Sequence, residues 1–370
     1  MKKKQTKIIK LTIIIFCFFL LGYLLLLSNN SQPHVELETS WFNKKKELTD
    51  KDLIKQLADA LRGKPLPADY RMSNRLLSIN SLKESKKLSY FGSSLLSVTE
   101  KKLYILSKEL SNKLDSIFTD LEREFYGEAL AWSEAKLFFS KNKDAIVTDL
   151  ETGLSFKVRR KAGTYHADVQ PVTAGDTEIM KKIYKGNWSW KRRAIILTVD
   201  GKRIAASMNG MPHGAGSIKG NNFPGHFCIH FLDSKVHKSN KVDLAHQLMI
   251  AKASGKIFTE IYTATPEKLV TIFFTALKQH DWNLVELILG SDNSDKLDEA
   301  LKNLQSWEDV KKFTIHKAIE ISNLLCKIPV SIVWRKKGET NYNITEMTLI
   351  LKKSCSEGEW YISSYPFQEI

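Results

Sequence analysis

Cysteine is scarce in this chain of 370 residues, which contains only Cys17, Cys228, Cys326 and Cys355. Four thiols cannot form the dense disulfide framework that holds small secreted domains together. Cys326 and Cys355 fall in two strand-like segments and can pair if those strands are neighbours, which leaves Cys228 as the odd thiol. An odd thiol points to reactivity, so Cys228 is the first candidate for chemistry.

Long apolar runs are also scarce. Only residues 11–27 form an uncharged apolar run whose length is close to that of a membrane-spanning helix. Lysines at positions 2, 3, 4, 7 and 10 precede this run and predict a cytoplasmic N-terminus. A cleaved signal peptide is the alternative, but the end of the run lacks a small-x-small cleavage site. We therefore expect residues 1–30 to be a cytoplasmic tip and a transmembrane signal anchor, with the bulk of the chain extracytoplasmic.

Acidic residues are outnumbered by basic ones, 41 to 56, which gives a formal net charge of +15. The basic excess is spread over short clusters at residues 44–46, 159–161, 191–193, 336–337 and 352–353. Outside a cell, this charge fits an anionic cell-wall polymer or lipid head groups better than nucleic acid. A solvated lysine-rich surface explains the same charge without a partner.

The chain has no short-period repeat, which excludes a solenoid. Apolar residues recur at helical spacing at Leu53, Leu57 and Leu61, and again along a longer stripe between Leu95 and Leu121. This pattern predicts a linker and a helical stalk over residues 31–144.

From about residue 145 the pattern changes to that of strands. Residues 155–159 alternate, residues 194–199 are continuously apolar, and Asp200-Gly201 is a hairpin signal before a returning strand at 203–207. A further short strand is expected at 227–231 and a helix at 242–253. These elements predict a β-rich domain over residues 145–258.

The last segment, residues 259–370, begins with Thr265-Pro266, a threonine cap followed by proline in the first helical turn. Helices are predicted first, and strands follow at 330–334, 347–351 and 359–362. This order resembles that of the cystatin-like or nuclear-transport-factor-like α+β module. The resemblance implies a domain that packs or binds, and that offers a surface to a protein partner.

The sequence around Cys228 concentrates groups that suit catalysis. They are arranged as Pro212-His213-Gly214 and, further along, Gly225-His226-Phe227-Cys228-Ile229-His230. A cysteine attacks as its thiolate, and an imidazole can accept the thiol proton. Glycine-rich turns let backbone N–H groups approach a developing oxyanion. A nucleophile, a metal site and a buried structural thiol are the three interpretations of this pattern.

The same stretch resembles the signature of the L,D-transpeptidases of bacterial cell walls, in which an upstream His-Gly precedes a Ser-His-Gly-Cys-hydrophobic-Arg/Asn block. The resemblance extends from residue 194 to the helix after Cys228. It implies that Cys228 attacks a peptidoglycan stem peptide, that His226 is the general base and that His213 lines the site, without a cofactor. Gly225, Phe227 and His230 depart from the signature, which implies either altered specificity or a degenerate site.

Substrate contacts are expected from Asn222, Gly225 and His230. Strand alternation places His226, Cys228 and His230 on one side, so we expect these residues to converge with His213 in one pocket beside the loop at 221–225.

No metal is expected, although alternation suits a mixed Cys/His metal site equally well. His166 and Asp168 give a weak zinc signal.

Taken together, the patterns predict an α+β multidomain protein. It would have an N-terminal transmembrane helix, a helical stalk, a β-rich L,D-transpeptidase-like domain and a C-terminal α+β cystatin-like domain. The function expected is that of a membrane-anchored cell-envelope protein with a cysteine acyl-transfer site. A non-catalytic envelope binding module and a zinc-dependent cell-wall hydrolase are the alternatives.

Overall fold

The computed structural model describes residues 34–80, 85–97, 99–236, 240–356 and 358–368. The predicted transmembrane anchor at residues 11–27 lies outside this part of the chain. Within the described ranges, no helix combines the length and apolarity needed to cross a membrane.

The N-terminal region is built on a seven-stranded antiparallel sheet, whose order is β2-β1-β5-β6-β7-β8-β3. Its elements are β1 (His34–Thr39), β2 (Lys44–Leu48), α1 (Lys51–Arg62), β3 (Leu66–Pro67), β4 (Tyr70–Arg71), β5 (Arg75–Asn80), β6 (Ser85–Tyr90), β7 (Ser94–Ser97), β8 (Lys102–Ile105) and α2 (Lys108–Glu122). The leucines of α1 and α2 pack with those of the sheet in one core.

The middle of the chain forms a closed barrel of six strands, β10-β11-β14-β13-β12-β9. Its elements are α3 (Trp132–Phe138), β9 (Asp144–Asp149), β10 (Ser155–Ala162), β11 (Ala167–Pro171), α4 (Ala174–Ile183), β12 (Arg193–Val199), β13 (Lys202–Met208) and β14 (Phe227–His230). The hairpin between β12 and β13 turns at Asp200 and Gly201, both with positive φ, as the sequence predicted.

The C-terminal region packs helices against a third sheet. Its elements are α5 (Leu244–Ala253), α6 (Ile257–Tyr262), α7 (Pro266–Gln279), α8 (Trp282–Ile288), β15 (Leu289–Ser291), α9 (Ser294–Gln305), β16 (Trp307–Ile315), β17 (Ile319–Ser322), β18 (Leu325–Lys336), β19 (Asn343–Lys352) and β20 (Tyr361–Ser363). Thr265 caps α7 with Pro266 in its first turn, which confirms the predicted helix start. The same core includes Ile196 and Ala205 from the outer face of the barrel.

The predicted fold class is wrong. The structure is a mixed α/β arrangement of two seven-stranded sheets and a barrel, not a helical stalk that carries two separate domains. The supposed helical stripe combined Leu95, Leu96 and Leu103, which lie in β7 and β8, with leucines of α2. Helical spacing across a hairpin is accidental here, because Lys101 turns the chain with φ 52° between the two strands.

The C-terminal sheet also differs from the predicted cystatin-like domain. Its order is β16-β18-β19-β20-β15-β4, with β17 paired to β18. The edge strand β4 comes from the N-terminal region, and its residues Tyr70 and Arg71 pair with β15. The sheet is therefore completed by residues far upstream (Ser291 pairs with Tyr70), a connection that local sequence patterns do not reveal.

Candidate active site

Cys228 lies on β14, and strand alternation fixes the side of the barrel that it occupies. Its neighbours Phe227 and Ile229 belong to the barrel core. Because successive side chains point to opposite faces of a strand, the sulfur is directed away from this core. Asp168 of β11 is the cross-strand partner of Cys228 and lies between core residues Ala167 and Val169. A carboxylate and a thiol are therefore placed side by side on the outer surface of the barrel.

His213 and His226 are brought together by a short antiparallel bridge just before β14. Each backbone N–H donates to the other residue's carbonyl, at 2.8 and 2.9 Å. Glycine is needed beside both histidines. A Cβ on Gly214 (φ +59°) would lie 2.4 Å from Cε1 of His226, and one on Gly225 (φ +112°) would lie 2.5 Å from the carbonyl oxygen of His213. The glycine-rich sequence thus allows the two imidazoles to approach the thiol.

The contact between His213 and Cys228 has the geometry of a nucleophile and its base. Nε2 of His213 lies 3.3 Å from Sγ of Cys228. Nδ1 of His213 donates to the carbonyl oxygen of Met211 at 2.8 Å, and because a carbonyl can only accept, Nδ1 carries the proton. The Nε2 lone pair therefore faces the thiol. Trp190 packs against the His213 ring, with 5.0 Å between the centroids.

His226 contacts a different group. Its Nδ1 donates to the carbonyl oxygen of Ala215 at 3.2 Å, and its Nε2 lies 3.9 Å from Oδ1 of Asp168. The same Oδ1 lies 4.0 Å from Sγ of Cys228. Asp168 therefore connects His226 with the thiol, whereas His213 contacts the thiol directly.

Burial sets the protonation states of the thiol and its imidazole. Cys228 is 6% exposed, and burial, followed by the Asp168 carboxylate, raises the pKa of the thiol to about 12. Burial also lowers the pKa of His213 below its usual value. At neutral pH the thiol is protonated and His213 is neutral, which is the pair of states that general-base catalysis requires.

A stack of three buried imidazoles lies on the other side of the sulfur. The rings of His166 and His230 are 4.2 Å apart, and those of His230 and His246 are 3.7 Å apart. His246 comes from α5 and lies 2.8 Å from the hydroxyl of Ser207. Burial lowers the pKa of both His230 and His246, so these two rings are neutral.

The predicted site residues therefore fall into two groups. The structure brings His213, His226 and Cys228 together, whereas it places His230 in the buried stack, 2% exposed. His230 is therefore not positioned to contact a substrate, because His166 and His246 cover its two faces. The alternation of side chains along β14 predicted the face of the strand on which His230 lies, but it could not show that α5 covers that face.

The loop at 221–225, in which Asn222 and Gly225 are expected to contact a substrate, is held by the side chain of Asn221. The amide of Asn221 donates to the carbonyl oxygen of Pro171 and accepts from the N–H of Phe223. Asn222 is exposed with φ 55°, and Gly225 is buried. The side-chain amide of Gln170 reaches the same region and donates to the carbonyl oxygen of Gly225 at 2.8 Å.

Sequence analysis missed Asn209 and Gln170. A hydrogen bond from the Asn209 side chain partly offsets the rise in the pKa of Cys228. Gln170 follows Asp168 by two positions on β11, so alternation alone could have placed it on the same face. Asn209 follows β13 directly, and its proximity to the thiol depends on how β13 pairs with β14.

Among the described residues, two sets of side chains have the composition of a metal site, and Cys228 belongs to both. In the set with His213 and His226 and in the set with His166 and His230, the three ligand atoms lie within 4.8 Å of one another. Imidazole nitrogen and thiolate sulfur are ligands that zinc favours.

A cavity of about 850 Å³ lies beside Arg192, and none of Cys228, His213, His226 and Asp168 lines it. Aromatic and basic side chains from all three regions line it, among them Trp41, Trp188, Lys191 and Lys337. Arg192 pairs with Asp243 at 2.7 Å and also acts electrostatically on Cys228.

No protein-family model matches this chain, and no curated protein matches it. The assignment of a function therefore depends on the geometry of the site.

Proposed function

We propose that this chain is a cysteine acyltransferase in which Cys228 is the nucleophile and His213 is its general base. The observation that supports this proposal is the 3.3 Å contact between Sγ and Nε2, with the His213 tautomer fixed by the carbonyl oxygen of Met211. A structural thiol packed only against apolar groups would not need this orientation. The role that the resemblance gave to His226 passes to His213, because it is His213 that contacts the sulfur.

In the first half of the proposed reaction, His213 Nε2 takes the thiol proton as the sulfur attacks an acyl carbonyl carbon. The carbon–sulfur bond forms, and the carbonyl electron pair moves to oxygen. When the tetrahedral species collapses, the carbon–nitrogen bond breaks and the departing amine takes the proton from Nε2. The products are a thioester on Cys228 and a free amine.

In the second half, an acceptor amine attacks the thioester carbonyl and gives a proton to His213. The carbon–sulfur bond then breaks, and the sulfur recovers the proton. A base is needed because a thiol with a pKa of about 12 supplies almost no thiolate at neutral pH. The neutral state of His213 allows it to accept the proton, since burial lowers its pKa.

The acyl donor in this proposal is a peptidoglycan stem peptide in the cell envelope, as the resemblance to L,D-transpeptidases implies. The basic cavity beside Arg192 supports an anionic cell-wall polymer as the partner, because Lys185, Lys191 and Lys337 line it. Trp41 and Trp188 give the same cavity flat apolar surfaces against which sugar rings or peptide stems can pack.

The test is acylation of the full-length, chelator-treated protein by a carbapenem, which a nucleophilic cysteine opens to form a stable covalent adduct. Intact mass spectrometry should show one adduct on the wild type and none on Cys228→Ala. Cys326→Ala is the matched control, because Cys326 is a buried thiol in the C-terminal sheet and should leave acylation unchanged. Circular dichroism would show that each variant is folded.

An unmodified wild-type mass, or an adduct that persists in Cys228→Ala, would contradict the proposal. In that case a binding module becomes the better interpretation. Retention of wall fragments by the unreactive protein would then distinguish binding from the absence of any interaction.

A further inference from the structure

The imidazole stack beside Cys228 takes no part in the proposed acyl transfer, and all three of its rings are buried. His166 and His230 are each 2% exposed. Nδ1 of His230 has no hydrogen-bond partner among the described residues. A buried polar atom without a partner costs free energy, about 1–3 kcal/mol, and calls for an explanation.

His166 faces two electron-rich atoms. Its Nδ1 lies 2.8 Å from the carbonyl oxygen of Lys235 and therefore donates, which leaves the Nε2 lone pair on the other side of the ring. That Nε2 lies 3.3 Å from Oδ1 of Asp168. Two such atoms repel unless a cation or a second proton lies between them. A ligating histidine is typically oriented in this way, with its other nitrogen donating to a backbone carbonyl.

We propose that His166, Cys228, His230 and Asp168 form a closed binding site for one zinc-like transition-metal ion. Ring nitrogens of the two histidines and the sulfur of Cys228 lie within 4.8 Å of one another. Bond lengths of about 2.0–2.3 Å at tetrahedral angles place neighbouring ligand atoms about 3.3–3.6 Å apart. The 3.3 Å from Asp168 to His166 equals such a spacing, and the 4.0 Å from Asp168 to Cys228 needs a shift of about half an ångström.

Charge supports the same assignment. A thiolate at Cys228 and the carboxylate of Asp168 supply two negative charges, which a divalent cation neutralises inside a buried site. Binding replaces the thiol proton by the metal, so one proton is released for each ion bound.

This site differs from that of a zinc hydrolase. Catalytic zinc commonly keeps an open position for water, whereas four protein ligands close the coordination sphere. The ion would also occupy the sulfur that attacks in the proposed acyl transfer. If the proposed function holds, metal and acyl donor exclude each other at Cys228, and the metal-bound form is inactive.

Zinc binding is measured directly on the full-length protein, independently of activity. The protein is stripped with a chelator, titrated with Zn²⁺ and desalted, and the bound metal is counted by plasma mass spectrometry. We expect one Zn²⁺ per chain. Cys228→Ser, His230→Ala and His166→Gln should each weaken binding at least about tenfold, because each removes one ligand.

Two control variants locate the ion. His316→Ala removes an exposed histidine of the C-terminal region and should leave binding unchanged. His213→Ala should also retain the ion, because His213 belongs to the other ligand set. Loss of zinc in His213→Ala together with full retention in His230→Ala would overturn the proposed position.

Cobalt gives a second measurement, and its deciding result is obtained on the wild type. Co²⁺ bound to the wild type should produce a thiolate-to-metal charge-transfer absorption band that Cys228→Ser lacks. A wild-type protein without that band, or one that retains no zinc, would overturn the proposal. The two proposals can fail separately. If the protein stripped with a chelator binds added zinc but is not acylated by the carbapenem in its metal-free form, only the acyltransferase proposal is contradicted.

Discussion

The two sides of the Cys228 sulfur carry the same type of side chain in opposite environments. On the open side, His226 retains 20% exposure, and His213 directs its lone pair at the sulfur. On the closed side, His166 and His230 are almost fully buried, and the His230 ring is stacked on that of His246. In the proposed reaction, accessibility rather than residue type therefore separates the imidazole that takes the thiol proton from those that only pack or ligate.

Replacement of His213 is the strongest test of the difference between the two sides. His213→Ala should lower the rate of carbapenem acylation by about 10²–10⁴-fold, the usual contribution of a positioned base. His226→Ala should have a smaller effect, because its Nε2 faces Asp168 at 3.9 Å. The rates are measured by time-resolved intact mass, with His316→Ala as the control. A larger loss in His226→Ala would return the base role to His226.

The burial of neutral histidines on the closed side can be tested by measuring the stability of the protein at low pH. His230 and His246 have lowered pKa values in the folded state, so the unfolded chain binds protons first as the pH falls below about 6.5. Each histidine should therefore remove about 1.4 kcal/mol of stability per pH unit below that value, or about 2.7 kcal/mol for both.

Urea unfolding at about pH 6 and about pH 5 measures this slope. His246→Gln should reduce the slope by about 1.4 kcal/mol per pH unit, whereas the exposed His316→Gln should leave it unchanged. An unchanged slope in His246→Gln would mean that His246 is not buried in its neutral form.

The open side depends on the space beside His226. Gly214→Ala should cost about 1–2 kcal/mol for the left-handed backbone, and more for a Cβ only 2.4 Å from the imidazole. Gly153→Ala is a matched control, because Gly153 has φ +70° and a Cβ added there would meet no atom within 4 Å. The variants are compared by urea unfolding and by carbapenem acylation. Equal stability losses and unchanged acylation in both would show that Gly214 does not shape the site.

The smallest effect is expected at Asp168, which lies between the two sides. Asp168→Asn removes a negative charge that raises the pKa of Cys228, so the thiolate fraction should increase, about tenfold for one pKa unit. Iodoacetamide alkylation at a fixed, mildly alkaline pH measures that fraction. Asp144→Asn, which breaks an exposed pair with Arg159, is the control. Slower alkylation in Asp168→Asn would contradict the electrostatic effect.

Local sequence signals predicted those parts of the structure that local interactions determine. Asp200-Gly201 turned a hairpin, Thr265 capped a helix, and the alternation around Cys228 gave the correct strand. The glycines beside the histidines also marked a place where backbone and imidazole approach closely. Each of these features arises within a few residues along the chain.

The rest depends on contacts between distant segments. Asp168 reaches Cys228 only because β11 and β14 pair across 60 residues, and His230 is buried only because α5 covers it. In the N-terminal region, leucines of β7 and β8 imitated a helical stripe because the sequence pattern does not show where a hairpin turns. In all three cases the structure depends on pairing or packing between segments, which local sequence propensity does not reveal.

Closure of the barrel by β14 also bears on the order of folding. This strand pairs through three residues with β11 and through only two with β13. Pairing across so many residues requires a large loop to close before its contacts are gained, and such contacts form slowly. The carboxylate and the thiol therefore meet only when β11 and β14 have paired. A newly made chain would carry an ordinary cysteine at position 228, and its contacts with His213 and Asp168 would appear with the completed barrel.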